Sequence, residues 1–116
     1  PQLRMTERAL MQGSWIKAIR ADQLPLMGKV TLELDGRFVV LVKAADGVVH
    51  CVDDVCTHDG GPLGDGELDG LCLVCPRHGA RFDVRDGRPT MPATESIPCH
   101  SVQEENGWLM VQLSNA

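Results

Sequence analysis

The sequence predicts an all-β fold: a small antiparallel sandwich or barrel carrying an inserted, loop-rich subdomain. Three observations lead there. First, Asp35-Gly36, Asp46-Gly47, Asp59-Gly60, Asp65-Gly66, Asp69-Gly70, Asp86-Gly87 and Asn106-Gly107 punctuate the chain, and these residues tolerate positive φ in tight turns. Second, the runs between them are short and rich in Val, Leu and Ile. Third, no long segment repeats apolar residues every 3.6 positions. Only Thr6 to Gln12 could make one helical turn or two.

The elements follow in order. Trp15 to Arg20 reads as a strand. Lys29 to Leu34 sets Val30, Leu32 and Leu34 on one face, and Arg37 to Lys43 returns across Asp35-Gly36, so the pair is a predicted hairpin. Phe38 to Val42 is the longest hydrophobic stretch, and it is strand-sized. Val48 to Asp53 continues the meander. Leu71 to Val74 and Arg81 to Val84 are shorter strands. Ile97 to Gln103 and Trp108 to Leu113 close the chain as a second hairpin across Asn106-Gly107.

A chain of 116 residues fits one domain, read as an N-terminal extension over 1–13 and a single domain over 14–116. Hydrophobic content of 43% with 23% charged residues is ordinary for a globular protein and excludes general disorder. Four aromatics, Trp15, Phe38, Phe82 and Trp108, leave the core to aliphatic residues. Eleven basic against sixteen acidic side chains give a net charge of −5, which argues against a nucleic-acid surface. No apolar run approaches the roughly 20 residues that span a bilayer. No basic region followed by an apolar segment opens the chain, so the reduced cytoplasm is the expected compartment.

Residues 53–92 depart from this pattern. They are dense in Gly and Pro and hold two His and three of the five Cys. Such a segment buries little apolar surface, so it needs an external staple, and a metal is one of the few available to a small fold. The candidates are C-T-H-D-G-G-P-L, Cys56 to Leu63, and C-P-R-H-G-A-R-F-D, Cys75 to Asp83. Each loop offers one thiolate and one imidazole: Cys56 with His58, and Cys75 with His78. Two sulfurs and two nitrogens suit either a tetrahedral zinc or an iron–sulfur cluster. Zinc knuckles usually pair like with like. A mixed pair in each loop also allows Cys56 and Cys75 to bind one iron while His58 and His78 bind another, the asymmetric Rieske arrangement.

With these residues the chain resembles the Rieske-type [2Fe–2S] ferredoxins, small soluble electron carriers of bacterial oxygenase systems. The signature Cys-x-His then Cys-x2-His is met at Cys56, His58, Cys75 and His78, sixteen residues separate its halves, and the resemblance runs from about Trp15 to Leu113. Gly87 to Ala93 matches the third loop that covers the cluster in that family. The resemblance implies one [2Fe–2S] cluster per chain on those four ligands. It implies a transient flavin-dependent reductase as electron donor and a terminal oxygenase, such as a ring-hydroxylating dioxygenase, as acceptor. A monomeric carrier with no substrate site of its own is the expectation.

Departures from high-potential Rieske proteins sharpen this expectation. The positions of their loop-bridging disulfide are Gly61 and Arg77 here, and their hydroxyl-bearing Ser and Tyr are Ala80 and Phe82. Fewer hydrogen bonds to the cluster sulfurs imply a potential at the low end of the Rieske range, roughly −150 mV. Two ferric ions, two sulfides, two thiolates and two neutral imidazoles sum to zero. One added electron therefore costs less here than in a four-thiolate site.

Other readings stand beside this one. A catalytic oxygenase subunit needs a separate iron held by two His and a carboxylate, and beyond His78 only His100 remains. A small Rieske-like subunit of a nitrite reductase, a ferredoxin of another pathway, and a zinc-stabilised interaction module are the alternatives. Cys72, with Cys75, could form a zinc-like pair, but its strand is expected to turn it away. Cys51 and Cys99 are read as packing residues, and His50 and His100 as non-ligands. Gly60, Gly61, Gly64 and Gly79 are expected to serve the backbone of the loops. Arg77, Arg81, Arg85 and Arg88 could form a docking patch or a solvated face balanced by Asp83 and Asp86. The carboxylates Asp53, Asp54, Asp59, Asp65, Glu67 and Asp69 could steer a basic partner.

Overall fold

A computed structural model describes residues 14–114. Among the described residues nine strands carry the fold: β1 (Trp15–Arg20), β2 (Lys29–Leu34), β3 (Arg37–Lys43), β4 (Val49–Asp53), β5 (Leu68–Asp69), β6 (Cys72–Val74), β7 (Arg81–Asp83), β8 (Cys99–Glu105) and β9 (Trp108–Gln112). Six of them form one antiparallel sheet in the order β1-β9-β8-β4-β3-β2, whose edge strands β1 and β2 also touch. The sheet is thus nearly closed, and of the two expected architectures the barrel is the one adopted. Strands β5-β6-β7 form a small second sheet between β4 and β8 in the chain.

The two predicted hairpins form as expected. Asp35 and Gly36 (φ 53° and 80°), and Asn106 and Gly107 (φ 53° and 85°), occupy the left-handed region at both turn positions. That geometry matches the twist of the flanking strands, and it sets Leu34 opposite Arg37 and Glu105 opposite Trp108. Several boundaries move by one or two residues. Strand β8 starts at Cys99 rather than Ile97, because Pro98 has no N–H to give and instead accepts from the Asp53 N–H. Strand β5 and a single 3-10 turn at Ala21–Gln23 escaped the sequence reading; each is too short to show a period. The expected turn at Thr6 to Gln12 lies outside the described residues.

Two cores explain the continuous apolar run of β3. Val39 and Leu41 face into the barrel with Leu24, Leu34, Cys51, Leu109 and Val111. Val40 and Val42 face outward, yet they are equally buried beneath Leu63, Leu73, Phe82, Val84 and Ile97 of the inserted segment. A strand covered on both faces loses the apolar–polar alternation of a half-exposed one. Strand β4 follows suit: Cys51 points into the barrel and Val52 toward the insert. Burying each such Val or Leu contributes about 1.5–3 kcal/mol, so the insert is anchored to the barrel by packing. Phe38, at the end of the same run, is exposed. Of the four aromatics, Phe82 alone is fully buried.

Candidate metal centre

The two signature loops are built on one backbone pattern. In the first, the Cys56 N–H donates to the Gly61 carbonyl (2.8 Å) and the Gly60 N–H to the Cys56 carbonyl (2.6 Å). In the second, the Cys75 N–H donates to the Ala80 carbonyl (2.7 Å) and the Gly79 N–H to the Cys75 carbonyl (3.0 Å). Each cysteine is thus bonded to the residues four and five positions on. The fourth is a glycine in the left-handed region, at φ 76° for Gly60 and 74° for Gly79, where a side chain would be strained. The spacing Cys-x3-Gly, present in both loops, was the sequence signal for this repeat.

The loops are fixed to the barrel at several points. Oδ1 of Asp54, just past β4, accepts from the N–H groups of Leu63 (2.8 Å) and Gly64 (2.6 Å). Nζ of Lys29, on β2, donates to the Gly64 carbonyl at 2.6 Å. The Thr57 hydroxyl donates to the Glu95 carbonyl at 2.6 Å, tying the first loop to the segment beyond Gly87 to Ala93. That third segment lies along β7: Pro89 pairs with Phe82, and the Arg81 N–H donates to the Thr90 hydroxyl. Met91 within it is exposed.

The four candidate ligands converge. Cys56 and Cys75 are buried, at 0% and 1% exposure, whereas His58 and His78 are exposed. The imidazole rings meet edge to face, with centroids 4.8 Å apart. The thiols of Cys56 and Cys75 are also neighbours; burial first, and then their mutual hydrogen bond, pushes the Cys56 thiol up from its ordinary value. The side chains fall into two constellations, Cys56–Asp59–Cys75 and His58–Asp59–His78, with donor atoms within 4.8 Å of one another in each. One donor pair is sulfur and sealed, the other nitrogen and open. That division suits two metals with different ligands better than a single tetrahedral ion.

Asp59 stands between the two constellations. Arg77 reaches it with two hydrogen bonds, Nε to Oδ2 at 2.6 Å and Nη2 to Oδ1 at 3.1 Å. The guanidinium holds the Asp59 carboxyl well below the usual carboxylate range, and the Asp59 carboxylate raises Arg77 in turn. Neither the Asp59–Arg77 pair nor the Asp54 anchor was visible as a functional contact in the sequence.

The remaining candidates resolve as follows. Cys72 lies opposite Asp69 and Asp83 on the small sheet and belongs to neither constellation. Cys51 is buried in the barrel, and burial pushes its thiol up to about 12. His50 pairs with Asp46 at 3.0 Å. Every arginine of the suggested basic patch has an acidic neighbour: Arg77 with Asp59, Arg81 with Asp69, Arg85 with Asp83 and Arg88 with Asp86. The patch is therefore a balanced face. Of the four loop glycines, Gly61 and Gly64 do not adopt positive φ. They serve through close approach, Gly61 to the Arg77 guanidinium and Gly64 to the Thr31 hydroxyl.

A protein-family model described as "Rieske [2Fe-2S] domain" matches residues 14–101. The chain belongs to the Rieske [2Fe–2S] domain family. The ferredoxin component of the naphthalene 1,2-dioxygenase/salicylate 5-hydroxylase systems of a Ralstonia species is 32% identical to it over 104 residues, 89% of this chain and 99% of that relative. Among solved structures, the ferredoxin of carbazole 1,9a-dioxygenase from Nocardioides aromaticivorans IC177 superposes with a TM-score of 0.80 at 27% identity, covering 86% of this chain and 98% of the other. A chain in the complex of reduced oxygenase and oxidized ferredoxin in carbazole 1,9a-dioxygenase matches with a TM-score of 0.79 at 27% identity, over 84% of this chain and 92% of that one. The cofactor of this Rieske domain is one [2Fe–2S] cluster, and the two-constellation donor set fits it. Among the described residues no helix is long and apolar enough to cross a membrane.

Proposed function

We propose that this Rieske protein is a one-electron carrier whose cluster is held by Cys56 and Cys75 on one iron and by His58 and His78 on the other. It receives electrons from a flavin-dependent reductase and delivers them to a terminal ring-hydroxylating oxygenase. The division between buried sulfur and exposed nitrogen donors carries this reading. The names of the relatives support the oxygenase as acceptor, and a similar ferredoxin has been captured with its oxygenase. When bound, the cluster supplies reversible uptake of a single electron.

The chain's own residues account for the rest. The closed backbone turns at Cys56 and Cys75 fix both thiols beneath the barrel, away from water. His58 and His78 lie at the surface, where a docking protein can approach and shorten the electron path. His50 and His100 are engaged with Asp46 and Asp53 respectively, which supports carriage rather than catalysis. Residues 14–116 are taken as one Rieske domain with its cluster-binding segment at 53–92, working as a monomer in the cytoplasm.

The test is spectroscopic first. The native protein is expected to be red-brown, to hold about two iron per chain, and to give, after dithionite reduction, the rhombic EPR signal of a two-iron centre with unlike ligands. It should then be reoxidised by a ring-hydroxylating oxygenase. A colourless, zinc-loaded native preparation would overturn the carrier reading.

A further inference from the structure

The two cluster loops meet at one more place. Gly61 offers no side chain, and the Arg77 guanidinium fills the space; a Cβ at position 61 would overlap it. These are the two positions at which high-potential Rieske proteins carry their bridging cysteines. From Gly61 the guanidinium extends to Asp59 as a two-pronged fork, with bonds of 2.6 and 3.1 Å. The first loop presets the acceptor, because the Gly61 N–H donates to Asp59 Oδ1 at 3.0 Å. The other carboxylate oxygen, Oδ2, lies 3.5 Å from His78 Nδ1.

Asp59 is thus a fifth donor in the site. Its oxygens lie within 4.8 Å of both cysteine sulfurs and, in the second grouping, of both histidine nitrogens. An ionised carboxylate is a competent iron ligand. In this structure its lone pairs are directed chiefly to Arg77 and to the Gly61 amide, with the Cys56 thiol as a lesser partner. A guanidinium fork matches a carboxylate in a way that a lysine ammonium does not.

We infer that Arg77 is a positioning residue: by gripping Asp59 across Gly61 it latches the two cluster loops together and withholds the Asp59 carboxylate from the metal. The inference rests on the four-ligand reading given above. Unlike a disulfide, this latch is indifferent to reductant and sensitive to salt.

The test uses the cluster-loaded full chain, followed by visible bleaching under excess chelator and by EPR. Arg77→Gln is expected to lose its cluster about fivefold faster than the wild type and to show an altered EPR line shape. Arg77→Lys should fall between the two in rate. Adding Asp59→Asn to Arg77→Gln should restore the wild-type line shape, because the competing carboxylate is gone, while the fast loss persists. A wild-type rate and spectrum in Arg77→Gln would overturn the inference, as would a double variant that keeps the altered spectrum. Should Arg77→Gln assemble no cluster, the wild type carries the test: its rate of cluster loss must rise severalfold from low to high salt, and a rate flat in salt would overturn the latch. A wild type without the rhombic signal fails the ligand reading instead, and that is seen before any variant is made.

Discussion

Nε2 of His100 lies 2.7 Å from Oδ1 of Asp53, the last residue of the strand that delivers Cys56. The ring's other nitrogen, Nδ1, accepts from the Ser114 N–H at 3.0 Å, so Nε2 bears the proton and donates. Arg37 completes the network, with Nε and Nη2 on the Asp53 carboxylate and Nη1 on the Ser114 carbonyl. Four segments, β3, β4, β8 and the C-terminal end of the described chain, are held at one point.

This arrangement sets a pH dependence. Burial lowers the His100 pKa from 6.5, against the upward pull of Asp53. Below about pH 6.5 the unfolded chain takes up a proton that the folded ring resists. The stabilisation is therefore complete above that pH and is lost as pH falls toward the lowered folded value. The carboxylates of Asp46 and Asp83, held below 3.8 by hydrogen bonds, lose theirs only in stronger acid. Denaturant midpoints should therefore fall between about pH 7 and about pH 5, and the fall should be reduced in His100→Gln. An unchanged slope in that variant would assign the effect elsewhere.

The cysteines should divide sharply. Cys56→Ser, Cys75→Ser or His78→Ala is expected to abolish the cluster and, because ligand binding is coupled to folding, to destabilise both loops. Cys51→Ala, Cys72→Ser and Cys99→Ser should retain it. Iron analysis and visible absorption report the outcome. A normal cluster in a ligand variant, or its loss in Cys72→Ser, would revise the assignment.

Much of this was legible in the residues themselves. Turn dipeptides placed both barrel hairpins, because a two-residue turn with two positive φ values leaves few residue choices. The convergence of Cys56, Cys75, His58 and His78 was legible because metal chemistry restricts residue type and spacing together. The contacts that brace these four residues were not. Asp54, Lys29, and the pairs Asp59–Arg77 and Asp53–His100 join positions far apart in the chain through one or two hydrogen bonds, and an Asp or Arg in a loop has the same appearance whether it braces or is merely solvated. Gly66 shows the reverse error: Asp65-Gly66 reads as a positive-φ turn, yet Gly66 lies outside that region. It is glycine because the Val74 carbonyl occupies the place of a side chain.

Restoring the missing hydroxyls should raise the potential. Ala80 and Phe82 are both fully buried beside the second loop, and neither has a donor to offer. Each hydrogen bond to a cluster sulfur, at about 1 kcal/mol, corresponds to roughly 40 mV for a one-electron couple. Ala80→Ser and Phe82→Tyr are expected to shift the midpoint upward by amounts of this order in redox titrations. No upward shift would remove the hydrogen-bond account of a low potential.

Asp54→Ala should weaken the first loop without touching a ligand. The Leu63 and Gly64 amides that it accepts would both lose their partner. Leaving buried donors unpaired costs about 1–3 kcal/mol each, so a loss of at least about 2 kcal/mol is expected in denaturant titration, together with faster amide exchange at residues 63 and 64. Wild-type stability would show that water satisfies these amides equally well.

On the proposed ligand set, the sealed sulfur side and the open imidazole side would leave one doorway for charge. With the proposed reductase as donor and oxygenase as acceptor, the two would use it by turns, since both cannot stand there at once. Each turnover of such a system would then include a departure and a new arrival, and a surplus of either protein would slow the other. Such a carrier is a shuttle, whose throughput is governed as much by how readily it lets go as by how tightly it is held.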